Sequence, residues 1–100
     1  MDEIRIRTHP GEVLLAEFMR PLGLSMNALA RELHVAPNRI MAIVRTKEPR
    51  AVTPDTALRL SRYFGTTPEF WMNLQAAHDL SQARAEIEER IAIEVRPRAA

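Results

Sequence analysis

Apolar residues along this chain recur at intervals of three and four, and proline and glycine fall between the runs. Leu14, Leu15 and Phe18 make one stripe in a first segment from Gly11 to about Met19. Pro21 disfavours helical geometry at the residue before it, which predicts that this helix closes at Arg20. Ser25, a good N-cap, opens a second helix carrying Ala28, Leu29 and Leu33. Pro37 suits the first position of a third, where Ile40, Ile43 and Val44 repeat at i, i+3 and i+4. After a polar loop, 46–51, Thr53, Pro54 and Asp55 supply a cap, a preset φ and a charge that suits the helix dipole. Ala57, Leu60, Ser61 and Phe64 form the inner face of that fourth helix, and Gly65 ends it.

Thr67, Pro68 and Glu69 repeat the start signal for a fifth helix, whose apolar face is Phe70, Trp71, Leu74 and Ala77. The good helix formers of 83–90 carry it to about Arg90, with an extended tail beyond. Ile4 and Ile6, like Ile91, Ile93 and Val95, alternate with other residues at a strand period, so pairing of the two ends is an expectation to test. Five helices joined by short loops make an all-α fold in a single domain, 1–100. Its core is 8–80 and its extension 81–100.

Composition acts mainly by exclusion. The chain has no cysteine, so a disulfide scaffold, a thiol nucleophile and a cysteine-built metal site are ruled out. The longest apolar run, 40–44, is far short of a membrane span, and the first residues lack the pattern of a signal peptide. A cytoplasmic chain with no membrane partner is expected. His9, His34 and His78 show no metal-ligand spacing, and the glycines stand singly rather than in a phosphate-binding loop. Ser25 and Ser61 read as a cap and a small interface residue. No catalysis, metal or cofactor is expected.

Charge changes the picture once it is split. The total is +1, yet residues 20–63 hold eight basic side chains against three acids, between two acidic ends. Thirteen of the fourteen basic residues are arginine, the side chain that grips phosphates and guanine edges in bidentate geometry. A polyanion partner for the middle follows.

The second and third helices, separated by about three residues, form a helix-turn-helix over about 25–44. Small Ala30 permits a close crossing, and Val35, Ile40 and Ile43 lock the third helix onto the second. Asn38, Arg39 and Ala42 then project outward, where such folds meet the major groove. Arginine can bridge guanine O6 and N7, asparagine can pair with adenine, and alanine can meet a thymine methyl. Pro37, Asn38, Arg39 and Ala42 are therefore the candidate base contacts. Asn27, Arg45, Lys47 and Arg50 are the candidate phosphate contacts, which fix register without reading sequence. Ordinary surface polarity in a first helical turn would also explain Asn38 and Arg39; the tight turn and the basic middle favour DNA.

With these residues in place, 8–80 resembles the HigA-type antitoxins, antidote proteins of plasmid maintenance within the Cro/C1-type (XRE) helix-turn-helix class. The resemblance is carried by His9-Pro10-Gly11-Glu12-Val13-Leu14, by Pro21-Leu22-Gly23-Leu24-Ser25 and by Ala28-Leu29-Ala30-Arg31. It continues in Pro37-Asn38-Arg39-Ile40, in Thr53 to Leu60, in Tyr63 to Trp71 and in Asn73-Leu74-Gln75. The Phe-Trp-x-Asn-Leu-Gln block is more specific than a bare helix-turn-helix. One departure is His34, where the turn commonly carries glycine; a histidine there is expected to adopt positive φ.

The resemblance implies a five-helix, lambda-repressor-like DNA-binding domain with a C-terminal helical extension. It implies a homodimer that represses its own operator and neutralises a HigB-type, RelE-like toxin that cleaves mRNA. Dimerisation has separate support, since one short recognition helix reads few base pairs and two half-sites compensate. Phe70, Trp71, Leu74, Ile87 and Ile91 are the candidate dimer surface, although Phe70 and Trp71 at helical spacing are more often plain core. A free-standing regulator without a toxin, and an interaction module that no longer binds DNA, remain as alternatives.

Overall fold

Ser25, Thr53 and Thr67 each accept a hydrogen bond from the backbone N–H three residues on, at 3.0, 3.4 and 3.1 Å. These caps start α2 (Met26–Leu33), α4 (Pro54–Phe64) and α5 (Pro68–Glu94) in the computed structural model, which describes residues 5–99. Between α2 and α4 lies α3 (Pro37–Val44), which begins at Ala36 with no side-chain cap. The all-α expectation holds: five helices and no strand among the described residues.

The first helix, α1 (10–22), differs from expectation at both ends. It begins at Pro10 because His9 Nδ1 accepts the Gly11 N–H at 2.9 Å and caps it. It also runs past Arg20. Leu14–Met19 winds as a π-helix, in which the Arg20 N–H reaches back five residues to the Leu15 carbonyl, and a last turn, Arg20–Leu22, follows. In an α-helix, Pro21 would forfeit one hydrogen bond and crowd the carbonyl four residues back. The wider π winding moves that carbonyl aside, so the proline sits inside the helix.

The apolar stripes meet in one core. Leu14 and Met19 of α1, Leu29 and Leu33 of α2, Ile40 and Ile43 of α3, Leu60 of α4 and Trp71 of α5 are all buried. Phe18 fills the joint between helices, with its ring centroid 4.9 Å from Phe64 and 5.1 Å from Trp71. The Trp71 indole N–H donates to Thr66 Oγ1 at 2.8 Å, so the largest core side chain leaves no polar atom unpaired.

Among the described residues the two ends do not pair. Ile4 lies outside the described residues, and Ile6 sits half-exposed in an irregular segment. That segment docks on α5 instead: the Arg7 N–H donates to Ser81 Oγ at 2.8 Å, and His78 Nδ1 donates to the Arg7 carbonyl at 2.7 Å. At the other end, α5 continues four residues past Arg90, and Val95 N–H still donates to the Ile91 carbonyl at 2.8 Å. The alternation of Ile91, Ile93 and Val95 therefore lies in a helix end rather than a strand. Having left the core at Ser81, the helix stands out from the domain and stretches the molecule to 53 × 26 × 22 Å. No helix of the described residues is long and apolar enough to cross a membrane.

Candidate nucleic-acid interface

The turn between α2 and α3 is built by one residue in the left-handed region. His34 has φ 58° and ψ 45°, and its N–H donates to the Arg31 carbonyl while Val35 N–H reaches the Ala30 carbonyl at 3.0 Å. The expected positive φ at this non-glycine position is present. Ala30 is fully enclosed, so only a methyl group stands at this point of the packing between α2 and α3. Ile40, Ile43 and Val44 bury the inner face of α3. The opposite face is left to solvent.

That face carries Asn38, Arg39 and half-exposed Met41, with Ala42 partly covered. Asn38, Arg39, Ala42, Arg45 and Arg50 line one open cleft between α3 and the start of α4. Pro37, Asn27 and Lys47 are exposed but lie outside it. Arg45 and Arg50 are fixed through the loop that follows α3. The Arg45 Nε donates to the Glu48 carbonyl at 3.0 Å, and the Arg50 N–H donates to the Ala42 carbonyl at 2.8 Å. A deeper anchor holds the same loop: Gln75 Oε1, buried on α5, accepts the Val52 N–H at 2.7 Å.

Arg39 is not loose on the surface. Its Nη1 pairs with Asp55 Oδ2 and lies 3.5 Å from Thr56 Oγ1, both on the first turn of α4. The same Asp55 oxygen accepts Arg59 Nε at 2.9 Å, and Arg59 Nη1 donates to the Leu33 carbonyl at 2.8 Å. Arg59 first and Arg39 second hold the Asp55 carboxyl below the ordinary carboxylate range.

A basic, exposed helix face on a tight helix-turn-helix has known counterparts. A helix-turn-helix family profile matches residues 15–71. This chain belongs to the helix-turn-helix family. Its helix-turn-helix fold superposes over 100% of its length, TM-score 0.89 and 41% identity, on a structure described as antitoxin GraA in complex with its operator, covering 99% of that chain. A Pseudomonas aeruginosa antitoxin HigA with the higBA promoter matches 95% of this chain and 100% of its own at TM-score 0.87 and 41% identity. Virulence-associated protein I of Dichelobacter nodosus is 56% identical over 75 residues, 75% of this chain and 68% of that protein. The chain spans about two thirds of the length of such curated relatives. The HigA-type resemblance is thus upheld, and the family is one of DNA-binding regulators rather than enzymes.

The helix-turn-helix scaffold also corrects the dimer candidates. Trp71 is fully enclosed in the core and offers no surface to a second chain. Leu74 packs against that core and is partly covered, while Phe70 is 38% and Ile91 44% exposed. Ile87 is half-buried on the free part of α5. Leu80, 54% exposed, was missing from the expected surface. Spacings of three and four through Ala77, Leu80, Arg84, Ile87 and Ile91, starting seven residues on from Phe70, give the signal that would have found it. Met41, at i+3 from Asn38 and i+4 before Arg45, shares the exposed face of α3 and was likewise absent from the expected site.

Proposed function

We propose that this chain is a DNA-binding antitoxin that acts in the cytoplasm as a homodimer. It represses its own promoter and neutralises a HigB/RelE-like toxin that cleaves mRNA. The observation that carries this reading is the full-length match to an antitoxin solved on its operator, joined to an exposed arginine-bearing face on α3. In this reading Pro37, Asn38, Arg39 and Ala42 face base edges, and Asn27, Arg45, Lys47 and Arg50 meet phosphates. The start of α3 supports it, since no side chain caps it and the Asn38 N–H at a helix N-terminus suits a phosphate oxygen. The stripe of Phe70, Leu80, Ile87 and Ile91 along α5 supports a two-chain assembly whose recognition helices read two half-sites.

Co-expression with the neighbouring open reading frame tests the toxin, and footprinting on the DNA upstream of its gene tests repression. Rescue from growth arrest, with co-purification, is the expected result. Footprinting without rescue favours the second reading, a free-standing regulator. Similarity to an uncharacterized helix-turn-helix transcriptional regulator of Escherichia coli, 47% identical over 73 residues, supports that reading.

A further inference from the structure

Arg39 has donors on two edges of its guanidinium, and the structure occupies only one nitrogen. Both of its contacts, to Asp55 Oδ2 and to Thr56 Oγ1, use Nη1. Nε and Nη2, the pair that makes a side-on bidentate contact, have no partner among the described residues and lie beside the open cleft. The carboxylate on the other side is itself fixed. Arg59 holds Asp55 at 2.9 Å and is in turn anchored on the carbonyls of Leu33 and His34, at 2.8 and 3.5 Å. A chain of bonds thus runs from the turn of the helix-turn-helix, through α4, back to the first turn of α3.

We infer that Asp55 is a positioning residue for sequence readout: it braces Arg39 so that its Nε/Nη2 edge is presented, already oriented, to a guanine. This rests on the proposed DNA-binding reading and adds a residue to it that contacts no base. An unbraced arginine loses rotamer freedom when it docks, and it slides between a base edge and a nearby phosphate with little penalty. A braced one has lost that freedom on folding. Its second edge then matches the O6/N7 pair of guanine better than a mobile phosphate contact. The brace should therefore sharpen discrimination at one base pair and leave general DNA affinity almost untouched. A carboxylate at this place that merely competed with DNA for Arg39 would have the opposite sign.

The test uses the full chain and the best site selected from a randomised DNA library. Affinities are measured for that site, for copies with each G·C pair replaced in turn, and for random DNA. With Asp55→Asn, affinity for the selected site should fall about three- to tenfold, a fraction of what a bidentate guanine contact is worth, with random DNA unchanged or slightly tighter. The loss should be confined to one G·C pair per half-site. In the Arg39→Ala background Asp55→Asn should cause no further loss at that site. Asp55→Glu, which keeps the charge, should recover part of the discrimination and serves as a second variant if the asparagine chain unfolds. Tighter binding of Asp55→Asn to the selected site would overturn the brace in favour of competition. Equal losses with and without Arg39 would overturn it in favour of a folding role for α4. If the wild-type chain prefers no DNA sequence, the DNA-binding reading itself fails, and the brace with it.

Discussion

Gly11 of α1 lies directly against the backbone of Ile43 in α3: a Cβ at Gly11 would stand 1.9 Å from the Ile43 carbonyl oxygen. Neither partner is a flexible side chain, so a methyl group here can only be admitted by moving one helix away from the other. The contact joins the first helix to the end of α3. Gly11→Ala is expected to cost about 3 kcal/mol or more, at the upper end of overpacking penalties. Thermal unfolding should show this as a drop of roughly 12 °C or more for a domain of this size. A midpoint within a degree or two of wild type would show that α1 and α3 do not need this approach.

Gln75 does for the loop what Gly11 does for the helix. Its Oε1 accepts the Val52 N–H at 2.7 Å and its Nε2 donates to Asp79 at 2.9 Å, with both Val52 and Gln75 buried. Gln75→Leu keeps the volume and leaves the Val52 N–H without an acceptor. An unsatisfied buried donor costs about 1–3 kcal/mol, readable in urea unfolding. The 45–53 loop carries Arg45, Lys47 and Arg50, so in the proposed reading the same variant should weaken binding to all DNA sequences alike. A loss restricted to one sequence would instead place Gln75 in base recognition.

These two contacts show where sequence reading stops. The caps at Ser25, Thr53 and Thr67 were legible because each is a local event, a hydroxyl meeting an N–H three residues on. The left-handed turn at His34 was legible for the same reason. Gly11 was read as punctuation, since close approach to Ile43 depends on how helices 32 residues apart in sequence cross. Asp55 was read as a local complement to the helix dipole; its pairing with Arg39, 16 residues away, exists only once α3 and α4 pack. Pro21 misled because the usual rule assumes α geometry, and α1 escapes the clash by winding wider. Phe70 and Trp71 lie side by side in the sequence, and only the packed fold decides that Trp71 is enclosed while Phe70 stays 38% exposed.

The α5 stripe gives a direct test of the proposed assembly. Leu80→Glu and Ile87→Glu together place two charges on the exposed stripe of α5, one beside the point where the helix leaves the core and one beyond it. Sedimentation equilibrium should show two chains for the wild type and a single chain for the variant. Operator affinity should fall steeply because two half-sites are no longer bound as a unit. Helical content should be close to wild type, since glutamate is a good helix former. A variant that still sediments as two chains would move the dimer interface off this stripe.

Acid should loosen the fold through His9. The side chain is 7% exposed, Nδ1 accepts the Gly11 N–H, and the ring stands 4.9 Å from that of His78. Burial first, and the neighbouring His78 second, hold its pKa below the ordinary 6.5, against smaller opposing effects of Asp79 and Glu12. In the unfolded chain His9 takes up its proton near the ordinary value, while the folded chain resists. Between the two pKa values the unfolded state binds more protons, so stability rises with pH. The stabilisation is full above about 6.5 and declines as pH falls below it, levelling once the folded histidine also protonates. Protonation at Nδ1 also removes the acceptor that caps α1. Urea unfolding at a series of pH values from 8 to 5 should show this slope. His9→Asn, which caps without titrating, should flatten it. An unchanged slope in that variant would assign the acid sensitivity to another group.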